Sequence, residues 1–301
     1  MKKIYKLMVA CLMGLTLTNC NDFLDYNPTA VIDEDKAFSE PEKMVNAAYA
    51  MLGDCWFSYP FNLFPYGDIT SDDCLKGGSG TTDTGYHPFE IWSTLTATTP
   101  GEMDELWYRL YCAVSRCNRA LVSLERNGVA KLGSDISEQR IAEVKFLRAH
   151  FYYKLLTVFR QVPWIDEVAY LNNSIEQIPN DEFSYEGLFG KVIADFETAY
   201  NVLPEKQSDG GRVNKIAAAA YLAKCYLGLA WGDGYEATTG VNHINEEYMR
   251  KVVIYTDEVA NSDYDYLEDF GDIFLPDYKN SKESVFAVQC SDYKDDNTSF
   301  G

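Results

Sequence analysis

Apolar residues recur along most of this chain with the spacing of helices that bury one face. In "SEPEKMVNAAYAMLGD", Met44, Ala47, Ala48, Met51 and Leu52 form a single stripe. Ser39 is placed to cap its start, Pro41 and Glu42 suit the first turn, and Gly53 marks the stop. "GEMDELWYRLYCAVSRCNRALVSLERNG" carries Leu106, Leu110, Ala113, Val114, Cys117 and Leu121 on one face and predicts a second helix. "SDISEQRIAEVKFLRAHFYYKLLTVFRQV" predicts a third, ending before Pro163, and "DEFSYEGLFGKVIADFETAYNVLPE" a fourth, closed by Pro204. "GRVNKIAAAAYLAKCYLGLAWGDG" and "NEEYMRKVVIYTDEVANSD" predict two more. Strand signal is thin until "ESVFAVQC", residues 283–290.

The helices fall into pairs joined by short turns. At residues 187–228 one helix carries Ala194, Phe196, Ala199 and Leu203. The next carries Ala217, Ala220, Tyr221, Ala223, Tyr226, Leu227 and Gly228. Small residues at such a join let one helix lie close in the groove of the next, as in tetratricopeptide repeats. A generic helical hairpin with an alanine-rich contact is the competing interpretation. Residues 54–100 interrupt the pattern with Pro, Gly, Ser and Thr throughout, at a length where loops are functional or disordered. The aromatic density of this stretch argues against disorder. The expected fold is therefore all-α: tetratricopeptide-like stacked helix pairs, a long irregular aromatic-rich insertion, and little strand.

The chain begins differently. Lys2, Lys3 and Lys6 make a basic start, and Leu7 to Leu17 carries no charge. At 1.5 Å per residue that run covers roughly 16 Å, about half of a bilayer core. This is the layout of a secretory signal. "LTNC" then resembles the lipobox of bacterial lipoproteins, in which the cysteine is acylated and becomes the first residue of the mature chain. Asn19 departs from the small residue usual before that cysteine; an ordinary signal with an incidental cysteine is the rival. The expected organisation is a signal peptide over 1–19, a lead over 20–38 anchored through acylated Cys20, and a helical domain over 39–301.

Charge narrows the function classes. The formal charge is −20, and −23 once residues 1–19 are removed. Such a chain repels nucleic-acid backbones and has no polybasic route to anionic lipid, so no nucleic-acid role is expected. At 47% apolar and 14% aromatic, the composition is that of a globular protein. Cys112 and Cys117 point to different faces of one helix and should not pair. Cys55 and Cys74, flanking the irregular segment, are the one pair to test; buried free thiols are expected elsewhere. The chain has no CxxC, HExxH, GxSxG or phosphate-binding loop, and its only histidines are His87, His150 and His243. His150 reads as a satisfied structural histidine. No metal or cofactor is expected.

The order of motifs carries a resemblance. A lipobox cysteine is followed by "NDFLDYNP", "AAYAML", "GDITSDDCLKGG", "WYRLYCAVSRCNRAL", "AEVKFLRAHFYYKLLTVFRQVPWID" and "YLAKCYLGLA". Together these resemble the RagB/SusD family of outer-membrane lipoproteins. The run E-x-K-F-L-R-A-x-x-Y-Y-x-L from Glu143 to Leu155, followed by Val162-Pro163, is the most specific part. "SKESVFAVQ" resembles the segment that follows the family's helical stack. The resemblance implies a non-catalytic binding protein that captures glycans or peptides and presents them to a SusC-like TonB-dependent barrel at the cell surface. Members usually continue well beyond Gly301, so residues 280–301 are expected to open a ligand-binding part that is incomplete here.

Candidate ligand contacts lie in the irregular segment. "DCWFSYPFNLFPYG" places Trp56, Phe57, Tyr59, Phe61, Phe64 and Tyr66 within eleven residues. Aromatic faces suit the C–H faces of sugars, and Trp56, Tyr59 and Tyr66 are the candidates here, with packing onto the helices as their competing role. Trp92, in "FEIWSTL", is the preferred stacking candidate, since the matching region of the family contributes to ligand contact. Asp72 and Asp73, ahead of Gly77-Gly78, suit sugar hydroxyls; their alternative is a solvated turn, and no EF-hand spacing supports calcium. Two other functions compete. One is a periplasm-facing tetratricopeptide-like scaffold that binds a protein partner; the other is a glycoside hydrolase, for which no specific carboxylate pair stands out among many acids.

Overall fold

The computed structural model describes residues 34–53, 66–71, 73–77, 87–93, 102–172, 177–232, 235–236, 240–241 and 244–289. The chain divides into two units, Met1–Ala37 and Phe38–Gly301. Of the first, the described part is α1 (Glu34–Phe38), whose last residue belongs to the second.

The second unit holds α2 (Pro41–Tyr49), continued by a 3₁₀ turn over Ala50–Leu52, then α3 (His87–Glu90), α4 (Glu102–Leu132), α5 (Ser134–Phe159) and α6 (Glu167–Leu171). After these come α7 (Tyr185–Val202), α8 (Lys215–Gly232), a two-residue hairpin of β1 (Tyr235–Glu236) and β2 (Gly240–Val241), and α9 (Glu246–Ala260). Two 3₁₀ turns, Phe270–Phe274 and Pro276–Tyr278, complete the described elements. Each long helix packs on its sequence neighbour: α4 on α5, α5 on α7, α7 on α8, α8 on α9, with α2 laid on α4. This is the expected stack of helix pairs. At the α7–α8 join, Phe196 stacks on Tyr221 with centroids 5.0 Å apart, and Ala199, Ala217 and Ala223 are buried between them. Ala194 and Leu227 are exposed instead, while the Cβ position of Gly228 lies 4.0 Å from the Phe189 ring of α7.

Local departures from the expected elements have local causes. Glu40, not Ser39, occupies the N-cap of α2, and its side chain makes no capping bond. Pro41 at the first helical position disfavours a helical residue before it, and Glu40 stands outside the helical region (φ −122°, ψ 69°), which starts the helix one residue later. α4 runs through Gly128 and stops before Gly133, which takes φ +84°. Gly128 is a close-approach residue: a Cβ there would meet Ser137 Oγ at 2.3 Å. Residues 283–289 form no strand. Val285 O accepts from Asn214 Nδ2 at 2.8 Å, and Phe286 meets Phe146 edge-on, so this segment is tied to the helices by a side chain and a ring.

Two polar knots cross the stack, both from α5. Arg148 is buried and donates from Nε and Nη2 to the two carboxylate oxygens of Asp195 (2.7 and 3.0 Å), and from Nη1 to Asn118 Oδ1 (3.1 Å) and to Glu167. It thereby joins α4, α5, α6 and α7. Glu143 is fully buried; it accepts from Arg140 (2.8 Å), Arg212 (2.8 Å), Gln207 (3.1 Å) and Tyr49 (3.0 Å). Arg140 and Arg212 also reach Glu42, so this knot ties α2 to α5 and to the α7–α8 loop. Cys74, Cys112, Cys117 and Cys225 are free thiols, and burial raises the pKa of Cys117 and Cys225. Cys55 lies outside the described residues. His150 Nδ1 is 2.6 Å from Tyr221 Oη, as a structural histidine would be.

Candidate functional site

Tyr66, Asp73 and Trp92 fall among the described residues; Cys20, Trp56, Tyr59 and Asp72 lie outside them. The turn at 66–77 is held by its own backbone. Ser71 N–H donates to Gly67 O at 2.9 Å and Cys74 N–H to Asp68 O at 3.2 Å. Gly77 ends it at φ +72°, which a residue without Cβ adopts at little cost. Ile69, within the turn, is buried.

α3 sits against this turn. The Phe89 ring meets Tyr66 edge-on at 5.2 Å, so Tyr66 serves as a support for α3. Burial, with the carboxylates of Asp68, Asp73 and Glu90 adding, raises the pKa of the Cys74 thiol. His87 Nδ1 lies 3.4 Å from Glu90 Oε2.

Trp92 follows α3 in an unusual setting. Its N–H donates to Phe89 O (3.4 Å) and Ser93 N–H donates to Pro88 O (3.1 Å), the two bonds of a Schellman helix end. The residue after such a helix end is left-handed and is most often glycine; here it is Trp92 at φ 50°. A left-handed conformation costs an L-residue about 1–2 kcal/mol. In return the indole is carried out into solvent, 72% exposed, beside the exposed Ile91. Side chains of this size are mostly covered in folded proteins, so an indole this exposed stands apart from the packing residues around it.

The chemistry open to this surface is stacking plus hydrogen bonding. Among the described residues no group of three His, Cys, Asp or Glu side chains is placed to hold a metal. No helix among them is long and apolar enough to cross a membrane. A cavity of about 300 Å³ has no counterpart among the residues singled out from the sequence; Trp107, Tyr111, Val114, Pro163, Ile165 and Tyr170 line it. These side chains come from α4, the segment after α5, and α6. The aromatic spacing Trp107-Tyr111 on one helix face is the one hint of it in the sequence.

Residues 22–227 match a SusD-like family described as "Starch-binding associating with outer membrane". The chain belongs to this SusD-like family. A SusD-like protein of Bacteroides ovatus is 25% identical over 290 residues, covering 94% of this chain and 49% of that one. The crystal structure of a SusD-like protein from Bacteroides fragilis superposes with a TM-score of 0.64 at 22% identity, covering 86% of this chain and 46% of the other. Surface glycan-binding protein A of Bacteroides thetaiotaomicron, solved in complex with laminarihexaose, superposes with a TM-score of 0.59 at 22% identity over 82% and 48% of the two chains. The SusD-like chain thus spans about half the length of the relatives it matches. Its helical stack is the SusD-like fold.

Proposed function

We propose that this SusD-like chain binds oligosaccharides at the outer face of an outer membrane and delivers them to a SusC-like TonB-dependent barrel, without making or breaking covalent bonds. The observation that carries this reading is the exposed indole of Trp92, held out by a left-handed helix end. Family membership and the laminarihexaose complex of a structural neighbour support the ligand class. Acylated Cys20 would anchor the chain by burying methylenes at about 0.8 kcal/mol each. Trp56, Tyr59 and Asp72 are proposed as further contacts, with Tyr66 as the ring that backs α3. Residues 280–301, with the further half present in the longer relatives, would complete the site.

The first test is Trp92→Ala, with affinity for laminarihexaose and for starch oligosaccharides read by calorimetry. Losing about 80 Å² of apolar contact removes about 2 kcal/mol, roughly a 30-fold rise in Kd. Unchanged affinity would remove Trp92 from the site. The anchor and the partner are tested together. The chain is purified from outer membranes in mild detergent, and everything that stays with it is weighed. An acylated chain that brings a large barrel subunit is expected. An unacylated chain overturns the anchor, and one that resists protease on whole cells overturns surface display.

A further inference from the structure

The segment after α9 sets large apolar side chains in water. Tyr266 is 81% exposed, Phe270 73% and Phe274 74%, with Ile273 and Leu275 exposed beside them. The backbone under them is held without their burial. Asp272 N–H donates to Asp269 O (3.1 Å), Leu275 N–H to Asp272 O (2.9 Å) and Tyr278 N–H to Leu275 O (3.1 Å), and Asp269 Oδ1 caps the turn by accepting from Gly271 N–H at 2.7 Å. Exposed apolar clusters of this kind mark interaction surfaces.

Geometry and charge say what fits. Phe270 and Phe274 meet at 5.4 Å with their planes 79° apart. Rings crossed nearly at right angles offer no flat platform for a pyranose face; they form a notch suited to aliphatic stems and to a cation over a ring. Asp263, Asp265, Glu268, Asp269, Asp272 and Asp277 lie among and beside them in sequence, with no lysine or arginine from 262 to 278 and Lys279 directly after. Lys282 answers Asp265 at 3.3 Å, at the edge of the strip. A second copy of this chain, itself at −20, would meet like charge.

We infer that the aromatic and acidic strip over residues 263–278 is a docking surface for a cationic segment of a partner protein, one that alternates arginine or lysine with apolar residues. Carboxylates would take the charged heads while Phe270, Phe274 and Leu275 cover the stems. This inference stands apart from the glycan reading, which rests on Trp92.

The test uses the full chain and three labelled peptides: alternating Arg-Leu, alternating Glu-Leu, and oligolysine. The Arg-Leu peptide should bind, with affinity falling as salt rises, and oligolysine should bind more weakly because it has no apolar residues for the rings. Phe270→Ala with Phe274→Ala should weaken Arg-Leu binding at least tenfold. Asp269→Asn with Asp272→Asn should weaken it about fivefold and flatten the salt dependence. The amide that replaces the Asp269 carboxylate keeps an oxygen to cap the turn. Both variants should melt close to the wild type because Phe270, Phe274 and Asp269 are exposed and Asp272 is only half-buried. If the double Phe variant melts early, the double Asn variant alone carries the test. Four results overturn the inference. The first is an Arg-Leu peptide that fails to bind, or that binds both variants as it binds the wild type. The second is equal binding of Glu-Leu. The third is a wild type that sediments as a dimer which the Phe substitutions dissociate. The fourth is a fall in laminarihexaose affinity in the Phe variant, which would make the strip a glycan face.

Discussion

Arg148 and Trp92 hold opposite relations to water, and each gives a sharp prediction. Asp195 is nearly buried, and its carboxylate is gripped by the Arg148 guanidinium through two parallel bonds. Removing one partner of such a pair leaves an uncompensated charge inside, at about 3–5 kcal/mol, whereas replacing both by apolar groups is often close to neutral. Arg148→Ala should therefore cost about 3–5 kcal/mol in urea unfolding, and Arg148→Met with Asp195→Leu should cost less than Arg148→Ala alone. A single-variant cost under about 1 kcal/mol would mean that the knot does not hold the stack together. Trp92 should behave in the contrary way. Glycine suits the left-handed position after α3, so Trp92→Gly should leave stability unchanged or raise it by up to about 1 kcal/mol. Glycan affinity should fall as it does for Trp92→Ala. Stability and binding falling together would instead make the ring a packing residue.

At the scale of elements, two glycines inside helices should respond with opposite signs. Gly190 lies in α7 with open space where its Cβ would stand. Gly190→Ala should stabilise the chain by about 0.5–1 kcal/mol through helix propensity. A Cβ added to Gly128 in α4 would collide with Ser137 Oγ and stand 3.3 Å from Ser137 Cβ, near the start of α5. Gly128→Ala should destabilise by about 1–3 kcal/mol, and Ser137→Ala should recover part of that; thermal melts of the four chains decide it, and a Gly128→Ala chain that melts higher would refute the close approach. The same glycine shows where the sequence is legible and where it is not. The helices of the stack follow from apolar stripes, which are local, so α2, α4, α5, α7, α8 and α9 are readable from periodicity. Gly128 looks like a stop signal because a helix-ending glycine and a close-packed one are identical in sequence; Ser137, which distinguishes them, enters only once α5 folds back. "ESVFAVQ" has the β-branched and aromatic residues of a strand, but a strand needs a neighbour, and here Asn214 takes the Val285 carbonyl. Trp92 is identifiable from sequence as a candidate, while its left-handed backbone is not. The signature from Glu143 to Leu155 is recognisable as a motif, but its two buried charges find partners up to 94 residues away, beyond what spacing reveals.

For the molecule as a whole, acid stability depends on a histidine that the fold keeps neutral. His150 bonds Tyr221 at 2.6 Å where α5 meets α8, and its pKa is pushed down to about 3, first by burial and then by the charges of Lys154 and Lys224. In the unfolded chain it titrates near 6.5. Between those values the unfolded state holds a proton that the folded state refuses, so stability rises with pH across the window. The contribution is fully present above about pH 6.5 and is lost as pH falls toward 3. At pH 5, about 1.5 units into the window, the loss is about 2 kcal/mol at roughly 1.4 kcal/mol per unit. A second effect runs the other way. The chain carries −20 at neutral pH with a pI near 4.5, so acidification also relieves self-repulsion. The wild-type melting curve therefore mixes the two, and the comparison with His150→Gln separates them. Glutamine can still meet the Tyr221 hydroxyl but does not titrate, so the variant keeps the charge-repulsion effect and loses the histidine effect. At about pH 7.5 the variant is expected to be the less stable of the two, through imperfect packing. As pH is lowered to about 5 the gap should close by about 2 kcal/mol. A gap that stays constant over that range would mean that His150 takes up its proton in the folded chain as readily as in the unfolded one, and that the α5–α8 contact admits water.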